Sequence, residues 1–541
     1  MFLKKACPFS DDFMKKVRVI GFTVLVLLLF TAVSFGSLVD LVPDTAVAVL
    51  EAGNADALID FLYSDQLKSL TEGEFDLSEV RSEVKEELEF DALDPEFLKG
   101  LFANGITLSI TGFTEVGIPE VLVVLNPKNK VSFLKLIKNI EKKGGLKEDV
   151  SSYKGINIAK ISIPSDDESG ISKELAWAIV GKNLVFGFTA APVKEAIEVF
   201  KGEKTPISTS QEYQEVKNKI KGKLGETPFF LYLSMEKFSS LFEILKSKLP
   251  EEQAKSLENS AAIFSTMKPM GLSAVSGPEG TKIYGITGIP EKYKEIYKNI
   301  SFPKIEGLNL FPKNTFLFIG GAIPISWEKM KALYPEGVRK AIEDSFMQLK
   351  SQIGLDIEEL VLNWLDKELS VGMFDPSGMI PKMGIIIGYS DKGKAQNALN
   401  MLISMAGPSL GGTPSDKEYE GIKYKAIENP MFPVGFGFIK DRLVLASGIE
   451  NMIDVSLGNA APFARNTGIQ EIMQASNVTS ILYLNLNTIL DIIERFASMG
   501  GGLDENTKKV LQELRKVKEI VSWGGYEEDY SYIWIKINNA Q

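Results

Sequence analysis

Residues 41–50 read Leu-Val-Pro-Asp-Thr-Ala-Val-Ala-Val-Leu, and residues 310–319 read Leu-Phe-Pro-Lys-Asn-Thr-Phe-Leu-Phe-Ile. Each joins a proline turn to a short apolar run bounded by turn residues, which is the pattern of a strand opening. Pro43 and Pro312 lie 269 positions apart in a chain of 541 residues. That length exceeds what one hydrophobic core fills, so a second strand opening of the same kind points to a repeat.

Outward from these openings, further matches follow in the same order. Leu93-Asp94 opens a helix that leads into a strand at 106–110, and Leu355-Asp356 opens one that leads into 369–373. Pro119 precedes an apolar strand at 121–125, and Pro381 precedes one at 383–387. Tyr153-Lys154-Gly155-Ile156 is matched by Tyr419-Glu420-Gly421-Ile422, and Asn183-Leu184-Val185 by Arg442-Leu443-Val444. Gln214-Glu215-Val216 pairs with Gln470-Glu471-Ile472, and Leu231-Tyr232-Leu233 with Leu482-Tyr483-Leu484. The offset drifts from 269 to 251 along the chain, as loop insertions and deletions would make it.

Each copy reads as a strand, helices, two strands, a helix, three strands, helices, a strand, helices and a closing strand pair. Val80, Val84 and Leu88 form one helical stripe; Val131, Leu134 and Ile137 form another; Val510, Leu511, Leu514 and Val517 form a third. Gly181-Lys182-Asn183 and Lys440-Asp441 read as tight hairpin links. Strands joined without helical crossovers pair antiparallel. The expected fold class is therefore α+β: two tandem copies of a largely antiparallel β-sheet unit with helices packed on one face. The expected division is 1–36 as leader, 37–290 as first repeat, 291–309 as linker and 310–541 as second repeat.

The proline-opened strand, the helix–strand block, the Tyr-x-Gly-Ile strand and the Asn-Leu-Val strand together resemble an uncharacterised exported bacterial family, domain of unknown function 3352-like. That family is typically duplicated. The resemblance covers nearly the whole chain after residue 37. It implies an envelope location and brings no assigned activity and no catalytic residues. The second copy departs at its opening, where Lys313-Asn314 stands in place of Asp44 alone.

The leader supplies an address of its own. Lys15, Lys16 and Arg18 precede an apolar run from Val19 to Val33, and small residues follow. A basic flank, apolar core and small residues make a secretory signal. The same run reaches about 20 residues if extended to Val39, enough to span a bilayer as an uncleaved anchor. Both readings put the body outside the cytoplasm, periplasmic or extracellular, with 19–39 as a candidate inner-membrane anchor.

Composition removes whole classes of chemistry. The chain has no histidine, which excludes Ser-His-Asp triads, Cys-His dyads and histidine metal sites. Its one cysteine, Cys7, precedes the apolar run, so the body has no disulfide and no thiol nucleophile. Net charge is −11, with 60 basic and 71 acidic residues and no basic stripe, which argues against nucleic-acid binding.

Other motifs read as structure. Ser-x-x-Lys occurs at Ser82, Ser132, Ser151, Ser234, Ser265, Ser301 and Ser326, without the partner motifs of a serine–lysine enzyme. The glycines at 407–412 and 500–502 read as turns, the second running into Asp504-Glu505, which would cap a helix. Asp166-Asp167-Glu168 and Glu527-Glu528-Asp529 lack calcium-loop spacing and read as solvated tips. No cofactor is expected.

Methionines gather in the second copy. Met373, Met383, Met401 and Met405 are the candidate lining of an apolar groove, because methionine fills adaptable apolar surfaces. Three functions follow as expectations. The first is a non-enzymatic envelope protein acting as a binding or scaffold module for a protein or polymer partner. The second is a carrier of an apolar or lipid ligand. The third is a carboxylate-based glycan hydrolase, since paired acids are the acid–base chemistry left.

Overall fold

The structure, a computed structural model, describes residues 38–540 apart from breaks within 54–92, 129–146, 164–172, 247–266, 292–301, 407–411 and 430–432 and shorter breaks elsewhere. The leader at 1–36, the stripe of Val80, Val84 and Leu88, and the acidic tip at 166–168 lie outside the described residues. The chain divides into two compact units, Met1–Val275 and Ser276–Gln541.

Nine strands are described in the first unit. They are β1 (Ala48–Ala52), β2 (Ile106–Phe113), β3 (Pro119–Leu125), β4 (Glu148–Tyr153), β5 (Ile156–Ile163), β6 (Lys173–Val180), β7 (Asn183–Gly187), β8 (Phe229–Leu233) and β9 (Met270–Gly277), the last carrying the chain across the division. Every pairing among them is antiparallel, in the order β4-β5-β6-β7-β3-β2-β1-β8-β9. The second unit has β10 (Gly280–Gly288), β11 (Leu317–Ile323), β12 (Leu365–Phe374), β13 (Lys382–Tyr389), β14 (Ser415–Tyr419) and β15 (Ile422–Ile427). It continues with β16 (Val434–Ile439), β17 (Arg442–Ala446), β18 (Val478–Asn485), β19 (Val517–Glu527) and β20 (Tyr530–Asn539). Its antiparallel order is β14-β15-β16-β17-β13-β12-β11-β18-β19-β20-β10. Adding ten to each strand number of the first unit reproduces the first nine positions of the second. Both units are α+β with antiparallel sheets, as expected.

The two strand openings are held by the same backbone bonds. Pro43 bridges Pro206, and Pro312 bridges Pro462. Ile207 N donates to Val42 O at 2.8 Å, and Phe463 N donates to Phe311 O at 2.7 Å. Ala46 N closes on Pro43 O, and Thr315 N on Pro312 O, both at 3.0 Å. A proline lacks the N–H of a ladder, so it fits at the first residue before a strand, where a turn closes behind it.

Three features differ from the sequence expectation. First, four strands stand where three were read, because Tyr-x-Gly-Ile is a hairpin turn and not the body of one strand. Lys154 and Gly155 have φ of 51° and 78°, and Glu420 and Gly421 have 49° and 78°. Positive φ at both central residues is the type I′ requirement, and glycine meets it without steric cost. The strands before these turns, β4 and β14, are almost wholly exposed, so they carry no apolar alternation to read.

Second, helices cover both faces of the sheet in the second unit, where one face was expected. Val444 and Ala446 of β17 pack with Ile449, Met452 and Ile453 of the helix Ile449–Leu457. Leu443 packs with Ala395, Ala398 and Leu399 of the helix Lys392–Ala406. Adjacent strand residues point to opposite faces, so the two helices lie on opposite sides. Third, Leu38 and Val39, at 5% and 0% exposure, are buried in the protein. They are therefore unavailable to a bilayer, and a membrane segment would end by residue 37 rather than 39.

The core of the second unit is aromatic. Phe311 packs edge-on against Phe318 and Phe374, and Phe463 against Tyr483. Phe311 reaches the sheet because Gly372 and Gly384 lie under its ring; a Cβ at either would come within 3.0 Å of it. Beside this core, Glu368 and Arg442 form an ion pair at 2.5 Å with side chains 0% and 4% exposed. Gly307 N also donates to Glu368 at 3.0 Å. Removing one member leaves a buried charge uncompensated, whereas removing both does not. Arg442→Met should therefore lower unfolding free energy by about 3–5 kcal/mol, and the Glu368→Met/Arg442→Met double variant by much less. Urea unfolding of the two variants checks this, and equal costs would defeat it.

Candidate functional site

Directly opposite residues in an antiparallel pair share a face of the sheet. Following the register across the first unit gives one row: Trp177, Phe186, Val123, Leu108, Leu50, Leu231 and Leu272. The second unit gives Phe436, Leu445, Ile385, Val371, Ile319, Leu482 and Ser522. Each row crosses seven strands. Thirteen of the fourteen residues are apolar, and Ser522 is the departure. At about 4.8 Å between strands, seven strands span roughly 29 Å.

Helices close one end of each row. Trp177 is 5% exposed and packs with Leu98 and Phe102, at the helix Pro95–Leu101. Asp94 caps that helix through Phe97 N at 2.9 Å, as its place in the sequence suggested. Phe436 is 3% exposed under the helix Lys392–Ala406. Away from that end each row has one strand position left exposed, in β8 of the first unit and β11 of the second. Leu231 is 37% exposed, and Ile319 is 52% exposed. Full burial of such a side chain contributes about 1.5–3 kcal/mol, so each open position leaves on the order of 1 kcal/mol unrealised. Large apolar side chains left partly in water across a continuous apolar face make it the candidate site.

The candidate methionines divide. Met373 and Met383 are direct cross-strand partners, and Leu317 sits opposite Met373 on its other side. Their neighbours Phe374 and Gly384 face the aromatic core, so both methionines lie on the open face. Met401 is 48% exposed, on a helix whose Ala395, Ala398 and Leu399 do the packing, so it points to solvent and not into a groove with the pair. Met405 lies in the same helix, and its side chain is outside the described residues. The row residues Leu50, Leu231, Ile319 and Val371 were read only as strand formers. Their period-2 alternation was the available signal, and the register that aligns them was not.

The remaining motifs take structural places. Ser234 precedes the helix Met235–Lys246, and Lys237 donates to the carbonyls of Asp44 and Ala46. Burial holds the Lys237 ammonium below its ordinary pKa. Asp504 caps its helix through Thr507 N at 2.9 Å. Glu527 and Glu528 lie at the β19–β20 turn, where Glu528 has φ of 52°. Among the described residues, no group of three acidic or cysteine side chains could hold a metal ion.

The opposite face carries buried polar groups. In the first unit, the Tyr213 hydroxyl and the Lys217 ammonium both donate to Glu51 Oε1, the latter at 2.5 Å. Glu51 and Lys217 line a cavity of about 200 Å³ with Leu38, Asn104 and Thr107. In the second unit, Glu519 accepts from Tyr483 at 3.0 Å and from Asn538 at 3.0 Å, beside a cavity of about 470 Å³. Burial, then the nearby Glu519 charge, pushes the Tyr483 hydroxyl up to about 12. These clusters satisfy polar groups under the sheet, as buried polar groups require.

The chain is thus an α+β protein whose antiparallel sheets each present a partly covered apolar face. It belongs to the family described as protein of unknown function, DUF3352, whose model matches residues 103–402 and so runs from the first unit into the second. Among curated proteins, none matches it. Among solved structures, crystal form I of TP0453 is similar at 10% identity and a TM-score of 0.25, over 47% of this chain and 78% of that one. A score this low fixes neither fold nor ligand. Among the described residues, no helix is long and apolar enough to cross a membrane.

Burial raises the Glu51 pKa above the ordinary 4.5, outweighing the opposing charge of Lys217. A carboxyl raised in the folded state binds its proton more tightly there than when unfolded. Its contribution to stability is complete below pH 4.5 and is lost as pH rises through the folded value. Thermal melts from pH 4.5 to neutrality should show a shallower pH dependence for Glu51→Gln than for the parent. Parallel curves would refute this assignment.

Proposed function

We propose that this protein is a non-enzymatic binding module of the bacterial cell envelope, and that each unit holds an apolar ligand against the exposed part of its apolar row. The carrying observation is the pair of matched apolar rows, each closed by helices at one end and exposed at one large side chain, Leu231 in the first and Ile319 in the second. A ligand that covers these positions gains the burial the fold leaves unrealised. Such a site needs shape and an apolar lining more than reactive groups. Export is drawn from the basic flank and apolar run of the leader.

The equal strand order and the paired proline bridges support an origin by internal duplication. Two like faces in one chain also suit a scaffold for a protein partner, which would use the same surface. Glycan hydrolysis draws little support. Glu368 accepts at both carboxylate oxygens, from Gly307 N and Arg442, and Glu519 accepts at both, from Tyr483 and Asn538. Oxygens engaged this way are poorly placed to exchange protons with a substrate.

Titration of the full-length chain with a fluorescent long-chain fatty acid tests the proposal. Binding near two per chain is expected, falling to about one in Leu231→Glu and in Ile319→Glu while circular dichroism stays unchanged. Both positions are exposed enough that either variant should fold. No saturable binding, or binding indifferent to both substitutions, would overturn it.

A further inference from the structure

We propose that the cavity of about 470 Å³ in the second unit binds a neutral oligosaccharide. The site goes beyond the apolar faces and stands without them. Three observations carry it: an all-polar lining, charges that cancel within the protein, and neutral hydrogen-bonding groups left over.

The lining follows from the register. Lys282 of β10 stands opposite Lys536 of β20, and Asn538 stands opposite both Gly280 and Glu519. Opposite residues share a face, as do residues two apart on one strand. Lys282, Lys536, Asn538 and Glu519 therefore all point the same way. Gln470, Glu471 and Gln474 of the helix Gln470–Gln474 line the cavity as well. Apart from glycines, every residue in the lining has a polar side chain. Small-molecule pockets of roughly 300–1,000 Å³ are ordinarily lined mostly by apolar and aromatic groups, so this lining selects a polar ligand. The cavity of the first unit differs, with Ile106, Ile220, Phe229 and Phe230 in its wall. One site per chain is therefore expected.

The charges leave no net demand on a ligand. Glu519 is 5% exposed and accepts at both oxygens, from Tyr483 and from Asn538. Like charges directly opposite in a sheet repel, and Glu471 answers the Lys282–Lys536 pair by an ion pair with Lys536. Burial, then Lys282, holds the Lys536 ammonium below its ordinary pKa. Glu279 and Lys282, both exposed in the lining, carry opposite charges. A ligand of either net charge would meet groups of its own sign.

What remains is neutral. Thr467, Gln470 and Gln474 are exposed, and their side chains make no hydrogen bond among the described residues. Amides and hydroxyls offer donors and acceptors together, and each hydroxyl of a sugar does the same. Gly468 keeps the floor clear. A Cβ there would come within 2.8 Å of the Glu519 carboxylate.

Isothermal titration calorimetry of the full-length chain tests the site with maltotriose, cellotriose, mannotriose and triacetylchitotriose. Sodium phosphate and glutamine serve as an anionic and a zwitterionic comparator. At least one of the trisaccharides is expected to bind at one per chain, with Kd below about 1 mM. Its affinity should fall about tenfold in Gln470→Ala/Gln474→Ala, with circular dichroism unchanged because both side chains are exposed. It should hold in Ile319→Glu, so the site and the apolar face fail separately. Saturable binding by none of the four sugars, binding of phosphate or glutamine alone, or binding indifferent to the double substitution would overturn the proposal.

Discussion

The register of the central strands β1 and β11 is the constraint on which the rest of the structure depends. Each sits between two neighbours, β2 and β8 or β12 and β18. Each is seated by a proline that bridges to a distant second proline, Pro43 to Pro206 and Pro312 to Pro462. Side chains alternate with a period of two, so a slip of one residue would exchange the faces of the whole strand. Phe318 would then leave the aromatic core and Ile319 would enter it. The prolines set where the strand starts, and the start sets which face each residue takes.

From that constraint the two faces acquire different characters. One face is dense. Phe311 lies over Gly372 and Gly384, Tyr483 is fully buried with its hydroxyl paired, and Glu368 and Arg442 neutralise each other. Close packing of this kind holds the aromatic core rigid. The other face is apolar across seven strands but only partly covered, by Trp177 and its neighbours in one unit and by Phe436 and its neighbours in the other. The fold is stabilised mainly on the dense face, and the second face stays partly exposed.

Much of the architecture was legible in the residues. Asp94 and Asp504 announced helix starts, and both accept the capping bond. Gly181-Lys182-Asn183 and Lys440-Asp441 announced tight hairpin links, and both join paired strands, with Asn183 itself the first residue of β7. The edge strands β4 and β14 were illegible for a physical reason. An edge strand in solvent is held by its backbone, so Glu-Asp-Val-Ser-Ser-Tyr and Ser-Asp-Lys-Glu-Tyr show no apolar alternation. The methionine reading was half legible. Met373 and Met383 meet on the open face because their strands pair, while Met401 drew notice by composition alone and faces water.

By itself, the sequence determined the class of fold, the order of its elements and the chemistry the body lacks, because these follow from local periodicity, turn residues and composition. It also placed an apolar run ahead of the folded body. Only the tertiary structure decided that residues as distant as Leu50, Leu108 and Leu231 form one row, that Leu231 in it stays exposed, and that Leu38 belongs to the core and not to a bilayer. Those are matters of register and burial. Both depend on which strands meet, and a strand's own residues state how its side chains alternate but not what lies beside them.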